Sequence, residues 1–221
     1  MGHPDIAALG AIVTRVEAMT PEWKPLLESR ADPDPFVLFG QWFEEAGAAV
    51  PHPEAMAVAT ADGEGRPSVR MVLLKGWGPE GFVFFTNLES RKGRELTENP
   101  YASLLFYWEP LGRQVRIEGP VGPILDADSD NYFQTRPRGA QIGARASRQS
   151  RTVANRAALD REVKRLESQW AGTEVPRPSW WAGLRVQPQS FEFWQNREDR
   201  LHDRLRYSPA PSGWKIDRLQ P

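Results

Sequence analysis

The segment Arg200-Leu201-His202-Asp203-Arg204 gathers four polar or charged side chains into five positions. Alternate residues of a strand face one way, so Arg200, His202 and Arg204 would share a face opposite Leu201, Asp203 and Leu205. Such a row repels itself unless an anion sits among its members. A solvated edge strand accounts for the same pattern, because Lys and Arg are common on edges. A second pair, Arg70 and Lys75, brackets the apolar run Met71-Val72-Leu73-Leu74. Their odd spacing sends them to opposite faces of a regular strand, either one toward each of two ligands or both out to solvent.

Two further segments have the chemistry of anion cradles. Thr86-Asn87-Leu88-Glu89-Ser90-Arg91-Lys92-Gly93 reads as a strand end, a polar turn and a helix start. Helix starts present free N–H groups and the positive end of a dipole, and Arg91 and Lys92 add full charges. The Gly-rich spacing of a P-loop is absent, and an ordinary helix capped by Ser90 fits equally well. In Tyr132-Phe133-Gln134-Thr135-Arg136-Pro137-Arg138, Tyr132 and Arg136 are helical neighbours that could grip a phosphate from one side. Gln149-Ser150-Arg151 continues the same acid-free stretch, which also suits a basic loop or a contact to an acidic partner. Trp194, six residues before Arg200, could cover a flat ring or simply fill the core. His3 and His52 lie among prolines and carry no signal.

The elements that must position these groups are mostly short strands. Asp34-Pro35 marks a helix start, and Phe36, Phe39, Trp42, Phe43 and Ala46 follow at helical spacing, ending near Gly47 and Pro51. Strands are expected over 55–61, 67–75, 81–86, 101–108 and 114–118, with turns at 62–65 and 76–81. A short helix over 90–99 stops at Pro100. Helices are expected over 126–135, capped by Asp126, and over 153–169, where Leu159, Val163, Leu166 and Trp170 recur at helical spacing. Strands return over 184–186, 190–194, 200–207 and 214–219. Short strands joined by turns predict a mainly β fold with peripheral helices, an antiparallel barrel rather than a parallel sheet.

Composition narrows the function. At 221 residues, 40% hydrophobic and 26% charged, the chain suits one domain; residues 1–30 read as a flexible N-terminal arm and 31–221 as a single domain. No apolar run approaches the roughly 20 residues of a membrane helix. The stretch 6–13 lacks the basic lead of a signal peptide. Without cysteine there are no disulfides, thiolate metal sites or Cys nucleophiles, so a cytoplasmic protein is expected. Residues 1–60 carry three basic and nine acidic residues, leaving 25 basic and 20 acidic for the remainder. Six Arg and no acid fall between Arg136 and Arg156. A nucleic-acid surface would raise the pI above about 9, whereas here it is about 6.3. The positive charge is local, as for a small phosphorylated ligand, and Arg suits its planar, two-pronged recognition.

In this order and spacing the segments resemble the pyridoxine/pyridoxamine 5′-phosphate oxidase family, flavin enzymes that make pyridoxal 5′-phosphate. The resemblance runs from about Asp34 to Pro221 and rests jointly on RMVLLK (70–75), FFTNLESRKGREL (84–96), RQVRIEG (113–119), YFQTRPRGAQIG (132–143), SRQS (147–150), FEFWQ (191–195), RLHDR (200–204) and WKIDRLQP (214–221). It implies an FMN-binding split β-barrel homodimer with FMN in the cleft between subunits. By similarity Arg70, Val72, Leu73, Phe85, Thr86, Arg91 and Lys92 would contact FMN, joined by Gln114, Gln149, Ser150, Trp194 and Arg204. Lys75, Tyr132 and Arg136 would hold the phosphate of pyridoxamine or pyridoxine 5′-phosphate. Arg200, Leu201 and His202 would meet its pyridine ring, with Arg200 and His202 as the catalytic pair.

The implied reaction passes a hydride from the substrate carbon bearing the amine or alcohol to the flavin, and dioxygen then yields hydrogen peroxide. Two positions depart from the family. Ala140 stands where a phosphate-binding Ser is frequent, and a hydrogen bond to a charged group is worth roughly 1.5–3 kcal/mol. Arg145 replaces a frequent aromatic residue. Phenazine-biosynthesis oxidases share similar RLH-type endings and the ENP-x-AS stretch of Glu98 to Ser103, but need no substrate-phosphate site. A non-catalytic flavin-binding barrel is a third reading, since a fold alone does not establish activity.

Overall fold

The computed structural model describes residues 23–221. Among them, the strands are β1 (Ala55–Ala61), β2 (Pro67–Leu73), β3 (Gly76–Gly78), β4 (Gly81–Asn87), β5 (Tyr101–Trp108), β6 (Arg113–Pro123), β7 (Trp181–Val186), β8 (Ser190–Gln195), β9 (Asp203–Ala210) and β10 (Gly213–Arg218). The helices are α1 (Pro35–Ala49), α2 (Arg91–Glu98), α3 (Asp126–Thr135), α4 (Arg138–Ala146) and α5 (Arg156–Gln169). One sheet path runs β10-β9-β8-β6-β5-β1-β2, and β3, β4 and β7 branch from it. Every pairing is antiparallel.

The branch point is β6. Arg113 to Glu118 pair with β8, whereas Val121 to Pro123 pair with β7. The strand changes partners at Gly119, where a Cβ would collide with the Gln187 carbonyl. A glycine is therefore needed where the backbones approach this closely. The sheet curls over itself at this point, giving the mainly β split barrel with a few helices that the sequence predicts.

Strand alternation fills the interior. On β5, Ala102, Leu104, Phe106 and Trp108 point inward, meeting Met56 and Val58 of β1, Val115 and Ile117 of β6, and Phe191 and Phe193 of β8. Helix α1 closes the end of this core. Asp34 caps it by accepting from Phe36 N–H, and Pro35 occupies the first turn. Phe39 then sits edge-on to Phe82 and Phe106, at centroid distances of 4.9 and 5.2 Å. Truncating such a buried ring costs about 3–5 kcal/mol. A second cluster of Phe133, Ile142, Leu166 and Trp181 packs under α3, α4 and α5. It supports the residues that face the cavity described below.

The outer face of the same sheet is apolar at one end. Met71 lies opposite Ala57, and Ala57 opposite Leu105, in a row shared by β2, β1 and β5. Val69 and Met71 are 68% and 64% exposed, and Leu105 and Tyr107 are exposed beside them. No helix among the described residues is long and apolar enough to cross a membrane.

Several elements differ from expectation. Residues 76–78, expected in a turn, form β3. Helix α4 was not anticipated, and α5 begins at Arg156 because Asn155 accepts from Ala158 N–H. Asp126 lies in the first turn of α3, and Leu125 occupies the cap position. Strand β9 starts at Asp203, because Asp199 and Arg200 adopt φ of 52° and 60° and Leu201 N–H bonds to Glu198 O. Arg200 and His202 therefore precede the strand and do not alternate with Arg204 along it. Of the expected arm, residues 1–22 lie outside the described residues. Residues 23–30 are docked, with Leu26 buried and its N–H donating to Asp203 Oδ2 at 3.1 Å. Its hydrophobic side chain and satisfied backbone make that part of the arm a packed strap.

Candidate active site

A cavity of about 520 Å³ opens where β2 ends, beside β4, α3, α4 and the turn around Ser147. Among the described residues its walls carry three cations, Lys75, Lys92 and Arg136, and no carboxylate. Val72, Leu73, Phe85, Thr86, Tyr132 and Gln149 also face it, so nine of the sequence-predicted site residues meet here.

Lys92 enters the cavity because Ser90 starts α2, accepting from Gly93 N–H at 3.3 Å. A Cβ at Gly93 would collide with the Leu88 carbonyl, so the helix can fold this tightly onto the end of β4 only with glycine there. Lys92 is 7% exposed. Its Nζ donates to Thr86 Oγ1 and to Gln149 Oε1, each at 2.9 Å. Burial, with a smaller contribution from the Arg70 charge, brings its pKa down to about 8. Ser150 takes φ of 71°, and its Oγ accepts from Arg91 N–H at 3.1 Å, tying the 147–150 turn to the helix start.

At the other side, Arg136 follows the end of α3 in extended conformation, so it does not stack above Tyr132 as a helical neighbour. Its guanidinium lies 4.7 Å from the Trp181 ring centroid, and its buried Nη1 has no partner among the described residues. Burial holds its pKa below the usual arginine value, although the Tyr132 hydroxyl acts the other way. Tyr132 stacks on Phe85 at 4.0 Å, and Phe85 on Trp181 at 5.0 Å. A buried ammonium with neutral partners and an orphaned guanidinium N–H fit a site made for anions. The aromatic stack suits a ligand with flat rings. These residues fit a phosphorylated flavin such as FMN and a second phosphorylated ring.

Arg70 and Arg91 have a different immediate partner. Both donate to the Glu95 carboxylate, at 3.2 and 2.7 Å. Ser68 adds a hydrogen bond at 2.6 Å, and Thr60 another. Burial raises the Glu95 pKa, but these hydrogen bonds outweigh it and bring the pKa down to about 2. Arg70 turns inward from β2, its Nη1 3.2 Å from Val58 O, while Lys75 lies beyond the strand end in the cavity wall. Because β2 ends at Leu73, strand alternation does not set the direction of Lys75 relative to Arg70. Glu95 was not singled out from the sequence; its place four residues after Arg91 was the available signal.

The remaining predicted residues gather elsewhere. Gln114 lies opposite Trp194, and Trp194 opposite Arg204, in one row across β6, β8 and β9. Arg204 Nε donates to Glu192 at 2.7 Å. The His202 ring sits 4.5 Å from that of Trp194, and its Nδ1 accepts from Arg197 N–H at 3.2 Å. Burial, then the Arg200 charge, holds the His202 pKa below its ordinary value. Leu201 is 69% exposed. None of Gln114, Trp194, Arg200, Leu201, His202 and Arg204 lines the cavity with Lys92. Ala140 does not line it either, and Arg145 donates to Pro176 O at 2.8 Å.

Comparison with known proteins identifies the family. The pyridoxamine 5′-phosphate oxidase family profile matches residues 43–170, and that of the pyridoxine 5′-phosphate oxidase C-terminal dimerisation region matches 181–221. A pyridoxine/pyridoxamine 5′-phosphate oxidase of Rubrobacter xylanophilus is 54% identical over 197 residues, covering 89% of this chain and 91% of that protein. The enzyme of the same name from Bordetella pertussis is 53% identical over 198 residues, covering 89% and 93%. The crystal structure of PhzG from Burkholderia lata 383, in complex with tetrahydrophenazine-1-carboxylic acid, superposes with a TM-score of 0.84 at 35% identity. That match covers 91% of this chain and all of the other. With matches of this extent over a split barrel and a cationic cavity, the chain belongs to the pyridoxamine 5′-phosphate oxidase family.

Proposed function

We propose that this protein oxidises pyridoxamine 5′-phosphate and pyridoxine 5′-phosphate to pyridoxal 5′-phosphate, with FMN as cofactor and dioxygen as electron acceptor. The observation that carries the reading is the cavity with Lys75, Lys92 and Arg136 in its walls and no carboxylate among the described residues. Lys92, with Thr86 and Gln149, grips the FMN phosphate, and Arg70, Arg91 and Ser150 shape that end of the cradle. Val72, Leu73 and Phe85 contact the flavin. Lys75, Tyr132 and Arg136 hold the substrate phosphate, where the orphaned Arg136 Nη1 gains an acceptor. FMN supplies the two-electron chemistry, taking a hydride from the carbon bearing the amine or alcohol and releasing the electrons to dioxygen as hydrogen peroxide.

The active form is a homodimer with FMN between subunits. Two observations support it: the site residues fall into two groups that do not share a cavity, and the sheet exposes an apolar face around Val69, Met71, Leu105 and Tyr107. Such a face is characteristic of an interface. Gln114, Trp194 and Arg204 of the partner subunit then complete the flavin site. Arg200 and His202 of the partner subunit lie against the pyridine ring, with Leu201 beside them. His202 binds a ring substituent, and Arg200 assists at the reacting carbon.

PhzG binds a tetrahydrophenazine carboxylic acid on the same fold, which keeps a phenazine substrate as the second reading. Lys75 and Arg136, together with Tyr132, favour a phosphate instead. The test is a visible spectrum of the purified protein, followed by pyridoxamine 5′-phosphate under argon. Bleaching of the flavin band, then peroxide on admitting air, is expected. A flavin band unchanged by the substrate would overturn the proposal, and bleaching only by a dihydrophenazine carboxylate would transfer it to the second reading.

A further inference from the structure

We propose that Arg197 is a positioning residue that fixes the His202 imidazole as an outward hydrogen-bond donor; its bearing on catalysis rests on the function proposed above. The loop from β8 to β9 carries Arg200 and His202, and places Asp199 and Arg200 at φ of 52° and 60°. Two successive non-glycine residues in this region are strained and persist only where their surroundings hold them.

Arg197 ties the loop in three directions. Its Nη1 donates to Trp23 O at 2.7 Å, its Nε lies 3.7 Å from Asp203 Oδ2, and its backbone N–H donates to His202 Nδ1 at 3.2 Å. Both anchors are themselves held. Trp23 lies against Gly112, and Asp203 receives Leu26 N–H and Arg218 Nη1, the latter at 2.8 Å. The strap before α1 is thereby joined to the loop that carries the catalytic pair. An Nδ1 that accepts leaves the neutral ring's proton on Nε2. His202 therefore offers a donor to an oxygen on the substrate ring. Without the guanidinium, the loop loses its links to Trp23 and Asp203, and the imidazole is free to turn.

Two measurements test this. The chain has three histidines, so nitrogen NMR of ring-labelled protein can follow His202 without any turnover. The wild type should show the Nε2–H tautomer at His202 and Arg197→Ala a mixture. In steady-state oxidation, Arg197→Ala should lower kcat/KM for pyridoxamine 5′-phosphate about tenfold, mainly through KM, and Arg197→Lys should recover part of it. With the substrate analogue lacking the ring hydroxyl, the penalty should disappear, because His202 has lost its acceptor. FMN retention should not change. A mixed tautomer in the wild type, or an equal penalty on both substrates, would overturn the inference. A wild type inactive on pyridoxamine 5′-phosphate would instead overturn the proposed function, leaving the tautomer measurement to decide the role of Arg197.

Discussion

Lys92 and Gln149 are 57 positions apart in the chain, yet Lys92 Nζ donates to Gln149 Oε1 at 2.9 Å inside the cavity wall. The contact holds a buried ammonium between neutral oxygens, so its charge remains available to an incoming phosphate. Lys92→Met should weaken FMN binding by about 10- to 100-fold, the worth of a charge-assisted hydrogen bond. The pKa of about 8 also sets a pH dependence. The charged form binds the anion, so FMN affinity should decline as pH rises above about 8, and the Met variant should lack that decline. The ligand-free fold has the opposite sign: burying the ammonium costs stability below about pH 8, and this cost fades between about 8 and the unperturbed 10.5. Fluorescence titration with FMN across pH 7 to about 10 checks the binding slope.

The second anion position should separate from the first. Lys75→Ala and Arg136→Ala remove charges from the cavity wall without touching Lys92, Thr86 or Gln149. Each should raise KM for pyridoxamine 5′-phosphate about tenfold or more while flavin stays bound. Loss of flavin with an unchanged KM would mean that the two phosphate positions are exchanged.

Local signals in the sequence foretold the elements that hold these residues. The strand runs over 55–61 and 101–108, the Asp34-Pro35 start of α1 and the Ser90 cap all depend on neighbours in the chain, and the structure places them as read. Helix α4 escaped because two of its nine residues are glycine and its capping position is Pro137. The 198–200 turn escaped because left-handed backbone at Asp199 and Arg200 has no local signature; RLHDR alternates as a strand would. Long-range register was the least legible. That Gln114, Trp194 and Arg204 form one row, away from the Lys92 cavity, follows from how β6, β8 and β9 pair.

Glu95 organises two of the predicted cofactor arginines from below. Glu95→Ala would leave Arg70 and Arg91 without their shared acceptor and should cost about 3 kcal/mol, or roughly 6–12 °C in Tm at this chain length. Its folded pKa of about 2 lies below the unperturbed 4.5. Its stabilising contribution is therefore complete above about pH 4.5 and lost as pH falls toward 2. Thermal melts between about pH 2 and 7 should show a shallower acid loss in the variant than in the wild type.

Arg200 lies outside the cavity that Lys92 lines, where FMN is proposed to bind. Arg200→Met should therefore leave the protein yellow. If the guanidinium lies against the reacting carbon, turnover should fall on the order of 100-fold. Single-turnover bleaching under argon isolates that step from reoxidation, and an unchanged bleaching rate would remove Arg200 from the chemistry.

Division of the site into two groups gives a test that no single substitution provides. Lys75 belongs to the cavity half and Arg200 to the half carried by the loop before β9. If each complete site takes its cavity from one subunit and its loop from the partner, a mixed dimer of Lys75→Ala and Arg200→Met chains holds one site with both changes and one with neither. Each homodimer should be nearly inactive at low substrate. A mixed dimer, purified through two different tags after co-expression, should recover about half of the wild-type activity, since a two-fold dimer has two equivalent sites. Were the complete site built within one chain, each site of the mixed dimer would carry one change and no activity would return. The same preparation fixes the flavin count: both sites keep Lys92, so two FMN per mixed dimer are expected even though only one site turns over.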